Sequence, residues 1–158
     1  MSSIVIGLIA DTHGLLRPAV HGALSGVDVI LHAGDVGGAE ILDELALIAP
    51  VHAVYGNTDP PDDPRLAPEV EYRAGALTIH VSHGHELGAP TPARLLARYA
   101  ADVLVYGHTH QALIAREGER LVINPGAAGP GRFNLPPSVA RLTIQGTHAE
   151  VEIVRLPE

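Results

Sequence analysis

Short apolar runs alternate with stretches of helical spacing along the first third of the chain. Ile4–Ala10 reads as a buried strand, Pro18–Leu24 as a short helix with proline in its first turn, and Val27–His32 as a second strand. Ala39–Ile48 then reads as a helix and Val51–Tyr55 as a third strand. Strands joined by crossover helices pair in parallel. The segment Asp59–Pro68 carries four prolines among several acids, which predicts an irregular surface connector. Glu69–Arg73 and Leu77–His83 follow as strands. Thr91–Ala100 follows as a helix with Thr91 at the N-cap and Pro92 in the first helical position. Val103–Gly107 is again a buried strand. In the last third Ala112–Glu117, Arg120–Asn124, Val139–Gln145 and Ala149–Arg155 read as strands with turns at Gly118 and Gly146. Helical periodicity is missing there, so an antiparallel section closing the second half of the domain is expected.

Composition narrows the class. A chain of 158 residues suits one domain, 1–158, and buries about two-thirds of its unfolded surface without staples. Hydrophobic residues make up 46% and aromatics 3%, so the core must be Val, Ile, Leu and Ala. Cysteine is absent, which removes disulfides, thiolate metal sites and cysteine nucleophiles together. The N-terminal apolar run stops at Asp11 and has no basic leader, and no later run is long enough to span a bilayer. The expectation is a cytoplasmic protein with no membrane partner. Net charge is −8 and every one of the ten positive residues is arginine. An acidic chain without a basic stripe is a poor nucleic-acid binder, but bound metal would make the local charge positive and admit a small phosphate compound.

Five clusters carry candidate chemistry: Asp11-Thr12-His13, Gly34-Asp35, Gly56-Asn57-Thr58-Asp59, His83-Gly84-His85 and Gly107-His108-Thr109-His110. Each follows an apolar strand, and ligands of open α/β sheets gather outside the carboxyl ends of strands. Carboxylate, amide and imidazole donors suit Mn, Fe, Zn, Ni or Co ions. Singly, each cluster has a plainer reading. Asp11 and Asp35 could cap helices, Asn57 could shape a turn, and His83 and His85 could be ordinary strand-end histidines. An ordered series of them at successive strand ends is what points to a metal site.

The order Asp-x-His, Gly-Asp, Gly-Asn, His, Gly-His-x-His resembles the calcineurin-like metallophosphoesterase superfamily. The short length and the stretch Ile123-Asn124-Pro125-Gly126 resemble its compact YfcE-like phosphodiesterase subgroup. The resemblance implies a four-layer α/β/β/α sandwich of two mixed sheets flanked by helices. It also implies two divalent metal ions, manganese first and Fe, Ni, Co or Zn as alternatives. Residues matching Asp11, His13 and His110 hold one ion and those matching Asn57, His83 and His108 the other, with Asp35 bridging. The implied reaction is hydrolysis of a phosphate ester, in first place a small phosphodiester, by a hydroxide bridging the ions. A phosphomonoesterase is the nearest alternative.

One position departs from the wider family. Where many members carry a His after Gly-Asn, thought to protonate the leaving group, this chain has Thr58, as the compact subgroup also lacks that His. Thr58 is a poor acid, and a missing general acid costs about 10²–10⁴ in rate for basic leaving groups. His85, read as lying on the same side of its strand as His83, is the candidate substitute, with a packing role as the alternative. Asp59 and Thr58 are expected to support the ligands from behind. Arg132 either reaches a phosphate oxygen or is solvated, and Asn57, His85 and Arg132 are the candidate substrate contacts. His32 reads as a core histidine, and His21, His52, His80 and His148 fit no ligand pattern. The rival from another class is a non-catalytic protein-binding scaffold of the same fold, like the retromer subunit. A nuclease of the same superfamily is disfavoured by the acidic balance. A symmetric homodimer is the default assembly.

Overall fold

The computed structural model describes residues 3–131 and 134–157. Strands β1 (Ile4–Ile9), β2 (Val29–His32) and β3 (Val51–Val54) pair in parallel, joined by helices α1 (Ala19–Ala23) and α2 (Ala39–Leu45). A two-residue strand, β4 (Leu66–Ala67), continues this sheet in parallel beyond β3. The proline-rich connector is therefore not wholly irregular. Its last residues recover pairing once the prolines at 60, 61 and 64 are passed.

A second sheet holds β5 (Val70–Ala74), β6 (Leu77–Val81), β7 (Val103–Val105), β8 (Leu113–Glu117) and β9 (Arg120–Asn124) in the order β5-β6-β7-β9-β8. The final hairpin, β10 (Ser138–Gln145) and β11 (His148–Arg155), returns to the first sheet, whose order is β11-β10-β1-β2-β3-β4. The antiparallel closing section expected from the sequence is thus corrected. The two hairpins are antiparallel, turning at Gly118 and Gly146 with φ of 60° and 63°. They join different sheets, and β9 slots in parallel beside β7. Local turn chemistry specifies each hairpin, but the sheet that accepts it is decided by distant strands.

The layering is the four-layer α/β/β/α sandwich. Ile6, Leu8, Leu31, Val54 and Ile79 pack between the sheets with Val105 and Ile123. On the outer face of the first sheet, α1 and α2 bury Val20, Leu24, Ile41, Leu42 and Leu45 against Ile9 and Ile30. Over the second sheet, α3 (Pro92–Arg98) sets Leu95 against Leu104, Tyr106 and Val122. No described helix is long and apolar enough to cross a membrane.

Both ends of α3 are held by side chains. Thr91 accepts the Arg94 amide at 3.2 Å, as its N-cap position predicted. At the other end the Arg120 guanidinium donates to the carbonyls of Leu96 and Ala101 at 3.0 and 3.1 Å and to that of Tyr99. Those of Leu96 and Tyr99 are carbonyls that a short helix would otherwise leave to water. Thr91→Ala is expected to cost about 1 kcal/mol of stability, read as a shift in urea midpoint at unchanged slope.

Candidate metal centre

The site grows out of the first sheet. Beyond β1 and β2 the two chains keep hydrogen bonding as they leave the sheet. The amides of Asp11, His13 and Gly14 donate to the carbonyls of Gly34, Asp35 and Val36 at 3.0, 2.9 and 3.0 Å. This extension holds the backbone in a conformation that L-residues rarely adopt. Among the described residues, the non-glycine positions with positive φ are Asp11, His13, Asp35, His108, His110 and Asn134. Every one but Asn134 is a candidate ligand. Strain of this kind costs about 1–3 kcal/mol per residue and persists only where surrounding structure enforces it.

The second sheet reaches across to meet this edge. His83 follows β6 and donates its Nδ1–H to the carbonyl of Ala33, 2.8 Å away, which turns Nε2 toward the carboxylates. From β7, the His108 amide donates to Asp11 Oδ2 at 3.1 Å. The donors converge in two groups, Asp11 with His13 and His110, and Asp35 with His83 and His108, each with its ligand atoms within 4.8 Å of one another. Asn57 joins the second group, its Oδ1 lying 3.1 Å from His83 Nε2. Asp35 Oδ2 lies between the groups, 3.5 Å from His13 Nε2 and 3.2 Å from His83 Nε2. The structure therefore brings all seven candidate ligands together. Two carboxylates, an amide oxygen and four imidazoles at this spacing fit a pair of divalent cations.

Asp11, His83 and Asp35 are buried, which makes charge balance acute. Burial works to raise the Asp35 pKa, yet hydrogen bonds from His83 and Thr58 hold it well below the usual carboxylate range. Burial works to lower His83, but its bond to Asp35 and the nearby charges of Asp11 and Asp35 raise it. His108 is lowered, first by burial and then by the neighbouring His83.

Supporting contacts explain several residues. Thr58 donates both its amide and its hydroxyl to Asp35 Oδ1, at 3.0 and 2.7 Å, so this position clamps the carboxylate. Asp59 acts on the backbone beside Asp35 and Asn57: its carboxylate takes the amides of Val36 and Gly56 on Oδ2 and that of Gly37 on Oδ1, and staples the β2 loop to the β3 loop. His85 also needs correction, since β6 ends at Val81 and His85 opens a 3-10 turn, His85–Leu87, instead of sharing a strand face. Its ring nevertheless stands 5.3 Å from that of His83 and 6.5 Å from that of His108. Arg132 lies outside the described residues.

One contributor went unassigned in the sequence. Asn124 donates to the Gly107 carbonyl at 3.2 Å and to Thr109 Oγ1 at 3.0 Å, and accepts the Gly126 amide at 2.9 Å, tying the His108–His110 turn to β9. Its place in Asn124-Pro125-Gly126 was the available signal. His32, read as a core histidine, is fully buried and accepts the Gly34 amide on Nδ1 at 3.0 Å. Nε2 therefore carries the proton and donates to Thr12 Oγ1 at 3.0 Å, and Thr12 in turn donates to the Val36 carbonyl at 2.7 Å.

Known proteins resemble this chain over most of its length. The family model described as the calcineurin-like phosphoesterase superfamily domain matches residues 4–147. A probable metallophosphoesterase of Methanothermobacter thermautotrophicus is 34% identical over 96% of this chain and 92% of its own length. The phosphodiesterase YfcE of Escherichia coli K12 is 36% identical over 66% of this chain and 57% of its own. Among solved structures, wild-type Vps29 of Entamoeba histolytica complexed with Zn²⁺ superposes with a TM-score of 0.78 at 26% identity, covering 96% of this chain and 99% of that one.

Two outcomes test the local geometry. A Cβ at Gly56 would stand 2.1 Å from Asp35 Oδ1 and 2.5 Å from its amide, whereas one on Gly22, in α1, meets nothing within 4 Å. Gly56→Ala is expected to destabilise by about 1–3 kcal/mol and Gly22→Ala to stabilise by about 0.5–1 kcal/mol, both measured by urea unfolding. The second outcome concerns acid. Burial lowers the His32 pKa from 6.5 to about 3 in the fold. Between those values the unfolded chain binds the proton and the folded chain does not, so stability falls as pH drops from 6.5 toward 3. The slope is up to about 1.4 kcal/mol per pH unit. His32→Gln should remove that share of the acid sensitivity, seen as a flatter dependence of the urea midpoint on pH in metal-free protein.

Proposed function

Because the chain belongs to the calcineurin-like phosphoesterase superfamily, we propose that it hydrolyses a small phosphodiester at a pair of divalent cations. One is held by Asp11, His13 and His110, the other by Asn57, His83 and His108, with Asp35 shared. The observation that carries this reading is the position of Asp35 Oδ2, within 3.5 Å of an imidazole nitrogen of each group. A carboxylate so placed offsets the repulsion between neighbouring cations. Bound there, the cations would supply Lewis acidity toward phosphoryl oxygens and a water acidified toward neutral pH. Manganese is the first choice, and the mixed imidazole, carboxylate and amide set also accepts Fe, Co, Ni or Zn.

The chain's own residues do the positioning. Thr58 adds to His83 in holding Asp35 ionised and fixes the direction of its free oxygen, and Asp59 keeps the two loops in register. A hydroxyl spent on Asp35 leaves position 58 with no proton for a departing alkoxide. His85, half-buried on its 3-10 turn beside His83, is the imidazole proposed to protonate the leaving oxygen. Esters with good leaving groups suit such a site best, which favours activated diesters over alkyl monoesters.

A second reading, a protein-binding scaffold without turnover, is kept open by the likeness to Vps29. The complete donor set favours catalysis, and one experiment separates the two. Chelated protein is reloaded with Mn²⁺, Co²⁺, Ni²⁺ or Zn²⁺ and assayed on bis(p-nitrophenyl) phosphate. Two bound ions and turnover are expected, falling about 100-fold or more in Asp35→Asn and His110→Ala. Two bound ions with no turnover for any metal would leave the scaffold.

A further inference from the structure

Most arginines in the structure are committed to structural partners. Arg94, Arg116, Arg120 and Arg141 donate to backbone carbonyls, and Arg65 pairs with Asp43 at 3.0 Å. Arg17 differs in where it is fastened. Its Nε donates to the Gly129 carbonyl at 3.0 Å. Gly129 lies against the strained ligand turn, with its amide donating to the Asp11 carbonyl at 3.3 Å. A Cβ on Gly129 would stand 2.0 Å from the Thr12 carbonyl oxygen, so only glycine lets this loop press so closely on the turn. Arg17 is therefore hooked to backbone in direct contact with Asp11 and Thr12. Among the described residues no carboxylate pairs with it.

We propose that Arg17 is an anion-anchoring residue, its Nη groups binding a phosphate oxygen of the substrate on the Asp11–His13–His110 side of the site. The Nε bond to Gly129 fixes the plane of the guanidinium before substrate arrives, so little ordering cost is left to binding. Its Nη1 and Nη2 stay available for the paired contacts that phosphate oxygens accept. In a chain of net charge −8, a fixed cation beside the Asp11–Thr12 turn also offsets repulsion of an incoming anion. This assignment rests on the phosphoesterase reading of the site and supplies it with a substrate contact that the metal ligands do not provide.

The test is titration of Mn²⁺-loaded protein with inorganic phosphate by calorimetry, alongside kcat and KM for bis(p-nitrophenyl) phosphate. Arg17→Gln is expected to weaken phosphate binding about ten-fold and to raise KM similarly, the loss of one charge-assisted contact. Change in kcat should be smaller, and metal content equal to wild type. Arg17→Lys keeps the charge without the Gly129 hook and should fall in between. Arg65→Gln, which removes the same charge from the Asp43 pair, should match wild type. Phosphate affinity in Arg17→Gln within two-fold of wild type, with metal content intact, overturns the assignment. If Arg17→Gln fails to load metal, Arg17→Lys decides, and wild-type phosphate affinity there overturns it equally. A loaded wild type that neither binds phosphate nor turns over the diester overturns the phosphoesterase reading, and this assignment with it.

Discussion

Two carboxylates, Asp11 and Asp35, are buried where the carboxyl edges of two sheets meet, and much of the molecule is arranged to keep them there. Charges this close and this dry are tolerable only when oriented dipoles and cations surround them. Each sheet contributes. The first supplies the carboxylates on loops that go on hydrogen bonding after the strands have ended. The second supplies imidazoles, and pins them by the His83 bond to Ala33 and the His108 amide bond to Asp11. The positive φ angles at Asp11, His13, Asp35, His108 and His110 are the conformational cost of this convergence. The close-packed aliphatic layer between the sheets holds both edges in register and so sustains it.

How far the sequence disclosed this depends on whether a feature is local. Strand runs, the Thr91 cap and the turns at Gly118 and Gly146 are specified by neighbours in the chain, and all were readable. The ligand clusters were readable because each follows an apolar run directly. Features set by distant partners were not. The parallel insertion of β9 beside β7, the return of β10 to β1 and the two-residue β4 depend on which edge is free when the chain arrives. Asp59 shows the same limit at the level of one side chain. Its proximity to the site was legible, but not that its oxygens would choose backbone amides on two other loops. For Asn124 the Asn124-Pro125-Gly126 stretch marked the residue but not its partners, Gly107 and Thr109.

The residue at position 58 illustrates how one substitution redistributes a site's tasks. A side chain that could have faced the substrate instead spends its hydroxyl on Asp35, alongside the backbone amide of the same residue. The gain is a carboxylate locked in one orientation and kept ionised. The loss is a hydroxyl proton, committed to Asp35 and so withheld from the open side of the site. Arginine takes a comparable double role across the chain. With lysine absent, every fixed cation is a planar fork able to bridge several carbonyls, as Arg120 does at the end of α3.

Because the donors are drawn from both sheets, an ion seated among them is a ligand of the native state as a whole. The unfolded chain scatters Asp11 and His110 across some hundred positions and offers no matching cage. Occupancy therefore adds a term of RT ln(1 + [L]/Kd) to the stability of the fold, roughly 2.7 kcal/mol at a hundredfold excess over Kd. Supply of such an ion would then govern how much of this protein survives proteolysis.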